Sequence, residues 1–339
     1  MTTAPQPALN IPLNHRDERR ETVSWPTLAA FIGGAAALIT ALVIGLALLA
    51  GRTLPSGGEV AYVNGIHTET ELAILDARTG LIHIQTANRL WDSEPAWSPD
   101  GQQIAYVSER EGRRNIYVSD IFGDNERQIT DSRGRDYWPS WSPDGRFITF
   151  ESWLNDNPEI YVIDITTGDE RRLTRHPGKH QHPVWSPDGA RIAVVSYRAL
   201  NWDIYIIDLL WPEGTEALPD AEQVRRLTEN PGRDEHPTWS PDGVRLAFMS
   251  SREDNTDLYV MDAQAVLTDT GTLDGANLQR LTSEIAWDAE PSWSPDGRSL
   301  VFRSNRTAND ELYVYTFGAD SITRLTYNDT RDEFPVWRP

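Results

Sequence analysis

The sequence predicts an all-β fold, a six-bladed β-propeller of four-stranded blades closed by the C-terminal strand and preceded by one transmembrane helix. Three observations lead there. Trp-Ser-Pro-Asp-Gly occurs five times, beginning at Trp97, Trp141, Trp185, Trp239 and Trp293, and a cut-off sixth copy, Trp337-Arg338-Pro339, closes the chain. Successive tryptophans lie 44, 44, 54, 54 and 44 residues apart, a period of propeller blades rather than of helical repeats of about 34 residues. An uncharged run at 28–50 stands before the repeats.

That run has Thr40 as its only polar side chain. As a helix it spans about 34 Å, enough for a hydrocarbon core of roughly 30 Å. It exceeds the signal-peptide core of about 7 to 15 residues, and Leu48-Leu49-Ala50 is a poor cleavage site, so an uncleaved anchor is expected, with a cleaved signal as the competing reading. Arg16, Arg19 and Arg20 precede it and only Arg52 follows closely, which keeps residues 1–27 in the cytoplasm and exports the rest. Residues 51–58, with Pro55 and three glycines, read as a tether.

Within each repeat, serine, proline and glycine occupy the first, second and fourth positions of a type I turn between two antiparallel strands. The first strand ends in the tryptophan. The second follows the turn at 103–107, 147–150, 191–195, 245–249 and 299–302, in runs rich in β-branched and aromatic residues. A third is centred on Tyr117, Tyr161, Tyr205, Tyr259 and Tyr313, and a fourth is expected to end in Ile129-Thr130, Leu173-Thr174, Leu227-Thr228, Leu281-Thr282 and Leu325-Thr326. Four strands make one blade. Residues 60–63, 72–75 and 82–84 match strands two to four without a first, and 334–337 match a first strand alone. The two fragments complete a sixth blade. Two longer repeats add about ten residues each, near 209–223 and 263–277, expected as solvated loops.

The repeated E-P-x-W-S-P-D-G, followed by I-A-[FY] and I-Y-x-x-D, resembles the PD40, or WD40-like, propeller repeats of the TolB family of the bacterial envelope, over residues 59–339. Such repeats also accompany tricorn-type and prolyl-oligopeptidase-type peptidases. The resemblance implies a propeller and an envelope setting. The chain departs from TolB in lacking a recognisable cleaved signal and a separate α/β domain before the propeller, so the TolB role with Pal does not carry over.

Composition narrows the function. The formal charge of −20 opposes nucleic-acid binding, and the absence of cysteine excludes disulfides, thiolate nucleophiles and cysteine-based zinc sites. No G-x-S-x-G elbow is present, and the turn serines have no neighbouring base, so no catalytic residue is assigned and the protein is read as not an enzyme.

Aligned on their tryptophans, the repeats share a column five residues upstream: Asp92, Asp136, His180, Asp234, Asp288 and Asp332. Six acceptors there would ring one mouth of the channel; each would alternatively cap its own loop. Strand alternation puts this column on one face with Trp91, Trp138, Trp153, Trp202 and Trp287, platforms for a peptide or sugar, and these eleven residues form the expected partner-binding face. Arg110, Arg113, Arg114, Arg198, Arg252 and Arg306 add solvated charges. His180, His182 and His236, with Asp234, are candidate metal ligands, since imidazole plus carboxylate suits a transition metal and the related oligogalacturonate lyases use a metal in such a channel. No fixed ligand spacing supports them, so no cofactor is assigned, with a divalent cation in the channel as the alternative. The expected function is a membrane-anchored, extracytoplasmic module that binds a protein, peptide or polysaccharide of the envelope; a metal-dependent lyase or glycosidase acting on polysaccharide is the alternative.

Overall fold

The computed structural model describes residues 58–339 apart from 67–68, 89, 111, 155–156, 199, 212–217, 254 and 268–272. The tail, the expected transmembrane helix and the tether up to residue 57 lie outside the described residues. The rest is a six-bladed propeller of four-stranded antiparallel sheets. Blade 1 comprises Asp92–Trp97, Gln103–Arg110, Arg113–Asp120 and Arg127–Gln128. Blade 2 comprises Asp136–Trp141, Phe147–Ser152, Glu159–Asp164 and Glu170–Arg172. Blade 3 has Lys179–Trp185, Arg191–Arg198, Asn201–Leu210 and Asp220–Arg226. Blade 4 has Asp234–Trp239, Arg245–Ser250, Asp257–Asp262 and Gln279–Arg280. Blade 5 has Asp288–Trp293, Ser299–Ser304, Glu311–Thr316 and Ser321–Arg324. In blade 6 the C-terminal Arg331–Trp337 pairs with Glu59–Ile66, followed by Glu69–Asp76 and Ile82–Ile84.

The blades are sandwiched, which explains the unbroken apolar runs of the second strands. Ile104 to Val107 and Ile192 to Val195 are buried on both faces of their sheets. Every apolar cluster joins two neighbouring blades. The motif tryptophans seal these joints: the indole N–H groups of Trp97, Trp141, Trp239 and Trp293 donate to the carbonyls of Val336, Ala96, Val184 and Thr238 in the preceding blade, at 3.1–3.2 Å. For Trp185 and Trp337 the corresponding residue of the preceding blade is a serine. There the main-chain N–H donates to the Oγ of Ser140 or Ser292 at 3.2 Å instead.

The Ser-Pro-Asp-Gly turns form as expected. Gly101 N–H donates to the Ser98 carbonyl at 2.8 Å, and the four other copies repeat the bond. The fourth glycine lies in the left-handed region at φ 65 to 71°, where a side chain would be strained.

Two expectations are corrected. The Ile-Thr and Leu-Thr pairs stand just beyond the fourth strands and act as latches. The Oγ1 atoms of Thr86, Thr130, Thr174, Thr228, Thr282 and Thr326 accept from the third-strand N–H of Leu72, Ile116, Ile160, Ile204, Leu258 and Leu312 at 2.9–3.0 Å. A hydroxyl thus extends the ladder where the chain turns away. The two insertions are also more than solvated loops. The first lengthens the outer strands of blade 3, burying Leu209 and Leu218, and Trp211 packs on Trp185 with centroids 6.1 Å apart. The second forms a hairpin, Ala265–Leu267 with Leu273–Gly275, whose Asp274 binds Arg252 at 2.7 Å.

Closure depends on the last strand. Deleting residues 331–339 strips blade 6 of its inner strand and uncovers the apolar seams on both sides. We expect a loss of about 5 kcal/mol or more from the unburied Phe334, Val336 and Trp337 side chains, seen in urea titration as a midpoint shift or loss of the cooperative transition.

Candidate functional site at the propeller axis

Each inner strand breaks its pairing at the same place. Register slips between Ser93 and Ala96, Tyr137 and Ser140, Gln181 and Val184, Glu235 and Thr238, and Ala289 and Ser292, and blade 6 repeats the irregularity. The cause is in the sequence: Pro95, Pro139, Pro183, Pro237, Pro291 and Pro335 have no N–H to give to the ladder. The residues before them, Glu94, Trp138, His182, His236, Glu290 and Phe334, take left-handed φ of 51 to 56°. Such a conformation costs about 1–3 kcal/mol per residue, and a bulge of this kind re-aims a side chain. Here it turns six side chains onto the axis.

They close one end of an axial cavity of about 250 Å³, whose walls are the six prolines, the residues after them such as Ala96, Thr238 and Val336, and Pro339. The cavity therefore lies on the Trp-Ser-Pro-Asp-Gly side of this ring. The sequence had placed the site on the opposite side. Of the eleven residues expected to bind a partner, only Trp138 lines the cavity.

Trp138 is the hub of the ring. Its indole lies edge-on to His182 at 4.4 Å, His236 at 4.8 Å and Phe334 at 5.2 Å, and the two imidazoles stack at 4.1 Å. The carboxylates bridge blades. Glu94 Oε2 accepts from Trp138 N–H at 2.6 Å, and Glu290 Oε2 from Phe334 N–H at 2.7 Å. Burial pushes the Glu94 pKa up to about 8 against the Trp138 hydrogen bond, and that of Glu290 up to about 7 against the Arg303 guanidinium and Phe334 N–H. Burial also holds His182 at about 3 and His236 well below the ordinary histidine value. At neutral pH the imidazoles are uncharged and Glu94 is largely a neutral acid, so the axis is apolar and weakly charged.

The aspartate column is not at the surface. Asp92, Asp136, Asp234, Asp288 and Asp332 are fully buried, and so is His180. Four face a serine across the first strand pair, Ser108, Ser152, Ser250 and Ser304, and the fifth faces Asn64. Ser152 Oγ donates to Asp136 at 2.6 Å, Ser250 Oγ to Asp234 at 2.5 Å and Asn64 Nδ2 to Asp332 at 2.7 Å. Arg252 and Arg306 hold Asp234 and Asp288 at 3.1 and 3.0 Å. The column fastens loop to blade, with its carboxylates buried. These arginines are likewise not solvated charges: Arg110, Arg198, Arg252 and Arg306 each lie over a third-strand tyrosine ring at 4.2 to 4.9 Å. Arg113 is exposed, as expected, 3.8 Å from the equally exposed Asp131, and Arg114 reaches Glu109 at 2.8 Å.

Trp91, Trp153, Trp202 and Trp287 each carry a cation over the ring: Arg114 at 4.1 Å, Lys179 at 5.7 Å, Arg233 at 5.8 Å and Arg303 at 4.2 Å. Each of these indoles is partly covered. The candidate metal ligands do not converge. His182 and His236 stack in the axis, Asp234 is engaged by Arg252, and among the described residues no group of three histidine or acidic side chains is placed to hold a metal.

Two residues escaped the sequence reading. Glu151, buried with its pKa pushed up to about 7, accepts from Gln181 Nε2 at 3.1 Å beside the ring. Arg303, nearly inaccessible, holds Glu290 at 3.1 Å beneath Trp287 and also pairs with Glu333. Both sit in second strands, where a charge among apolar residues was the available signal.

A family model for the PD40 TolB β-propeller domain matches residues 46–174, 139–273 and 223–339. The chain belongs to this family. An uncharacterized protein of Agrobacterium fabrum is 31% identical over 97 residues, covering 29% of this chain and 30% of the relative. The Tol-Pal system protein TolB of Bordetella pertussis is 31% identical over 114 residues, covering 23% and 26%. The matched segments thus span under a third of these relatives. TolB from Acinetobacter baumannii superimposes with a TM-score of 0.66 at 27% identity, over 83% of this chain and 67% of that one. An oligogalacturonate lyase in complex with manganese shares the fold, with a TM-score of 0.53 at 17% identity over 80% and 74%.

Two outcomes follow. Asp234→Ala, which leaves Arg252 with Asp274 alone, should cost about 3 kcal/mol in urea unfolding, as for other broken buried pairs. A carboxyl with a raised folded pKa favours folding most below its unfolded pKa, and that contribution disappears as pH rises through the folded value. Glu94→Gln should therefore flatten the fall in stability between about pH 4.5 and pH 8, by up to about 1.4 kcal/mol per pH unit, when melting is followed across that range against wild type.

Proposed function

We propose that the protein is a non-enzymatic binding module of the bacterial envelope whose axial cavity receives an apolar segment of a protein partner. The cavity itself carries this reading. Its walls are mainly proline, valine, alanine and tryptophan, with Ser140, Thr238 and Ser292 among them, and its floor sets Glu94 and Glu290 beside an aromatic and imidazole cluster. All six blades place a backbone-strained residue in that floor. Membership of the TolB propeller family, with relatives named for the Tol-Pal system, supports a protein as the partner. An acidic polysaccharide fits poorly, since the lining offers no cation and the chain carries a charge of −20. In this reading residues 28–50 anchor the propeller on the outer side of the cell membrane, and the indoles of Trp91, Trp153, Trp202 and Trp287 offer a second contact surface.

A photoreactive amino acid at position 96, which lines the cavity, should capture a discrete envelope protein in intact cells. Thr238→Phe, filling the cavity from the opposite wall, should reduce capture at least about tenfold while the melting temperature of the purified protein stays close to wild type. Capture unaffected by the filled cavity would reject the axial site. A phosphatase reporter fused after Pro339 should be active only if the propeller is exported.

A further inference from the structure

Blade 3 breaks the pattern of its neighbours at one position. Where four blades set aspartate opposite a second-strand serine, blade 3 has His180 opposite Ser196. The imidazole is fully buried and neither ring nitrogen completes a hydrogen bond. Burial foremost, then the Arg198 charge, hold its pKa at about 3, with only the His176 main chain opposing, so it is neutral and cannot replace the missing carboxylate.

The consequence falls on Arg198. Its counterparts all have acidic partners: Arg110 pairs with Glu126, Arg252 with Asp234 and Asp274, and Arg306 with Asp288 and Glu284. Arg198 keeps the bond to its serine, Nε to Ser196 Oγ at 3.0 Å, and the stack on Tyr205 at 4.5 Å, but it has no ion pair among the described residues. Glu159 acts on it only at longer range and is itself bound by Arg172. Among the four arginines that stand two residues after this serine, Arg198 is the one without an ion pair among the described residues.

Arg198 lines a cavity of about 290 Å³ together with Arg175, His176 and Asp220, and with Leu173 and Val224 as an apolar wall. Arg175 meets Asp220 only at 3.9 Å, with both side chains open to solvent. His176 accepts from Gly178 N–H through Nδ1 at 2.9 Å, so the neutral ring carries its proton on Nε2 and has a donor to offer. Two guanidiniums, one imidazole donor and an apolar wall therefore meet around a single, loosely held carboxylate.

We propose that this cavity binds a small organic carboxylate with a short apolar chain, whose carboxylate serves Arg198 as the counter-ion that Asp274 supplies to Arg252 in blade 4. The planar guanidinium suits a carboxylate in two-point contact, and Leu173 and Val224 receive the chain. The site lies in blade 3, apart from the axial cavity, and does not depend on what the axis binds.

The test is calorimetric titration of the full-length protein with butyrate, butyramide and inorganic phosphate. Butyrate should bind, and more tightly than the other two. His180→Asp supplies the missing carboxylate from within, and Arg198→Gln removes the charge; each should weaken butyrate binding at least about tenfold, the loss expected of a charge-assisted pair. His180→Asp should melt no lower than wild type, and if it fails to fold, Arg198→Gln decides alone. Absence of butyrate binding, equal binding of butyramide, tighter binding of phosphate, or unchanged affinity in the folded variants would each overturn the proposal.

Discussion

The structure depends on the fact that a four-stranded blade has two apolar faces and can cover neither alone. Each buried cluster is shared: Phe147 and Ile160 of blade 2 pack with Trp185 and Ile192 of blade 3, and Val60 and Tyr62 of blade 6 with Val301 and Leu312 of blade 5. No blade has a core of its own. The ring must therefore close, and it closes by pairing residues almost three hundred positions apart, Val60 with Trp337. The same constraint explains why the extra residues of blades 3 and 4 are placed at the outer strands, where a blade can grow without disturbing a seam.

Within that frame the inner strands combine constancy and variation. The buried position five before the tryptophan is aspartate in five blades and serves the same bonding role. The position three before it is constant only in backbone, left-handed and followed by proline in every blade, while its side chain runs through glutamate, tryptophan, two histidines, glutamate and phenylalanine. A position whose geometry is repeated and whose chemistry is not is suited to recognition. The surrounding lattice holds it still: Thr latches in all six blades and Asp–Ser bonds in blades 1, 2 and 4.

Much of the fold was legible because the signals were local and repeated. Tryptophan spacing gave the blade count, and the incomplete strands at 60–84 and 334–337 gave the closure. The site was less legible, for a physical reason. Nearness of the inner strand to the channel placed the column at a mouth but could not place the bulge, in which proline at each equivalent of Pro95 shifts the register and re-aims the residue before it. Glu94 and His236 thereby reach the axis while Asp92 and Asp234 sink into the blade. The proline column carried this information; its effect on direction needed the bulge. Arg303 and Glu151 were hidden differently, since their partners Glu290 and Gln181 come from neighbouring strands that no spacing rule connects.

Charge is arranged on two scales. At long range the chain is acidic, and its arginines are largely spent on internal carboxylates: Arg252 on Asp234 and Asp274, Arg226 on Asp203, Arg280 on Asp257. At the axis the same low-dielectric burial that strengthens those pairs drives unpaired groups to their neutral forms, acid for Glu94 and free base for His182. The outer field therefore repels anions, and the axial cavity is lined mainly by apolar and uncharged groups. A partner suited to both is cationic or neutral around a protruding apolar element, and a polyanion is disfavoured at each step.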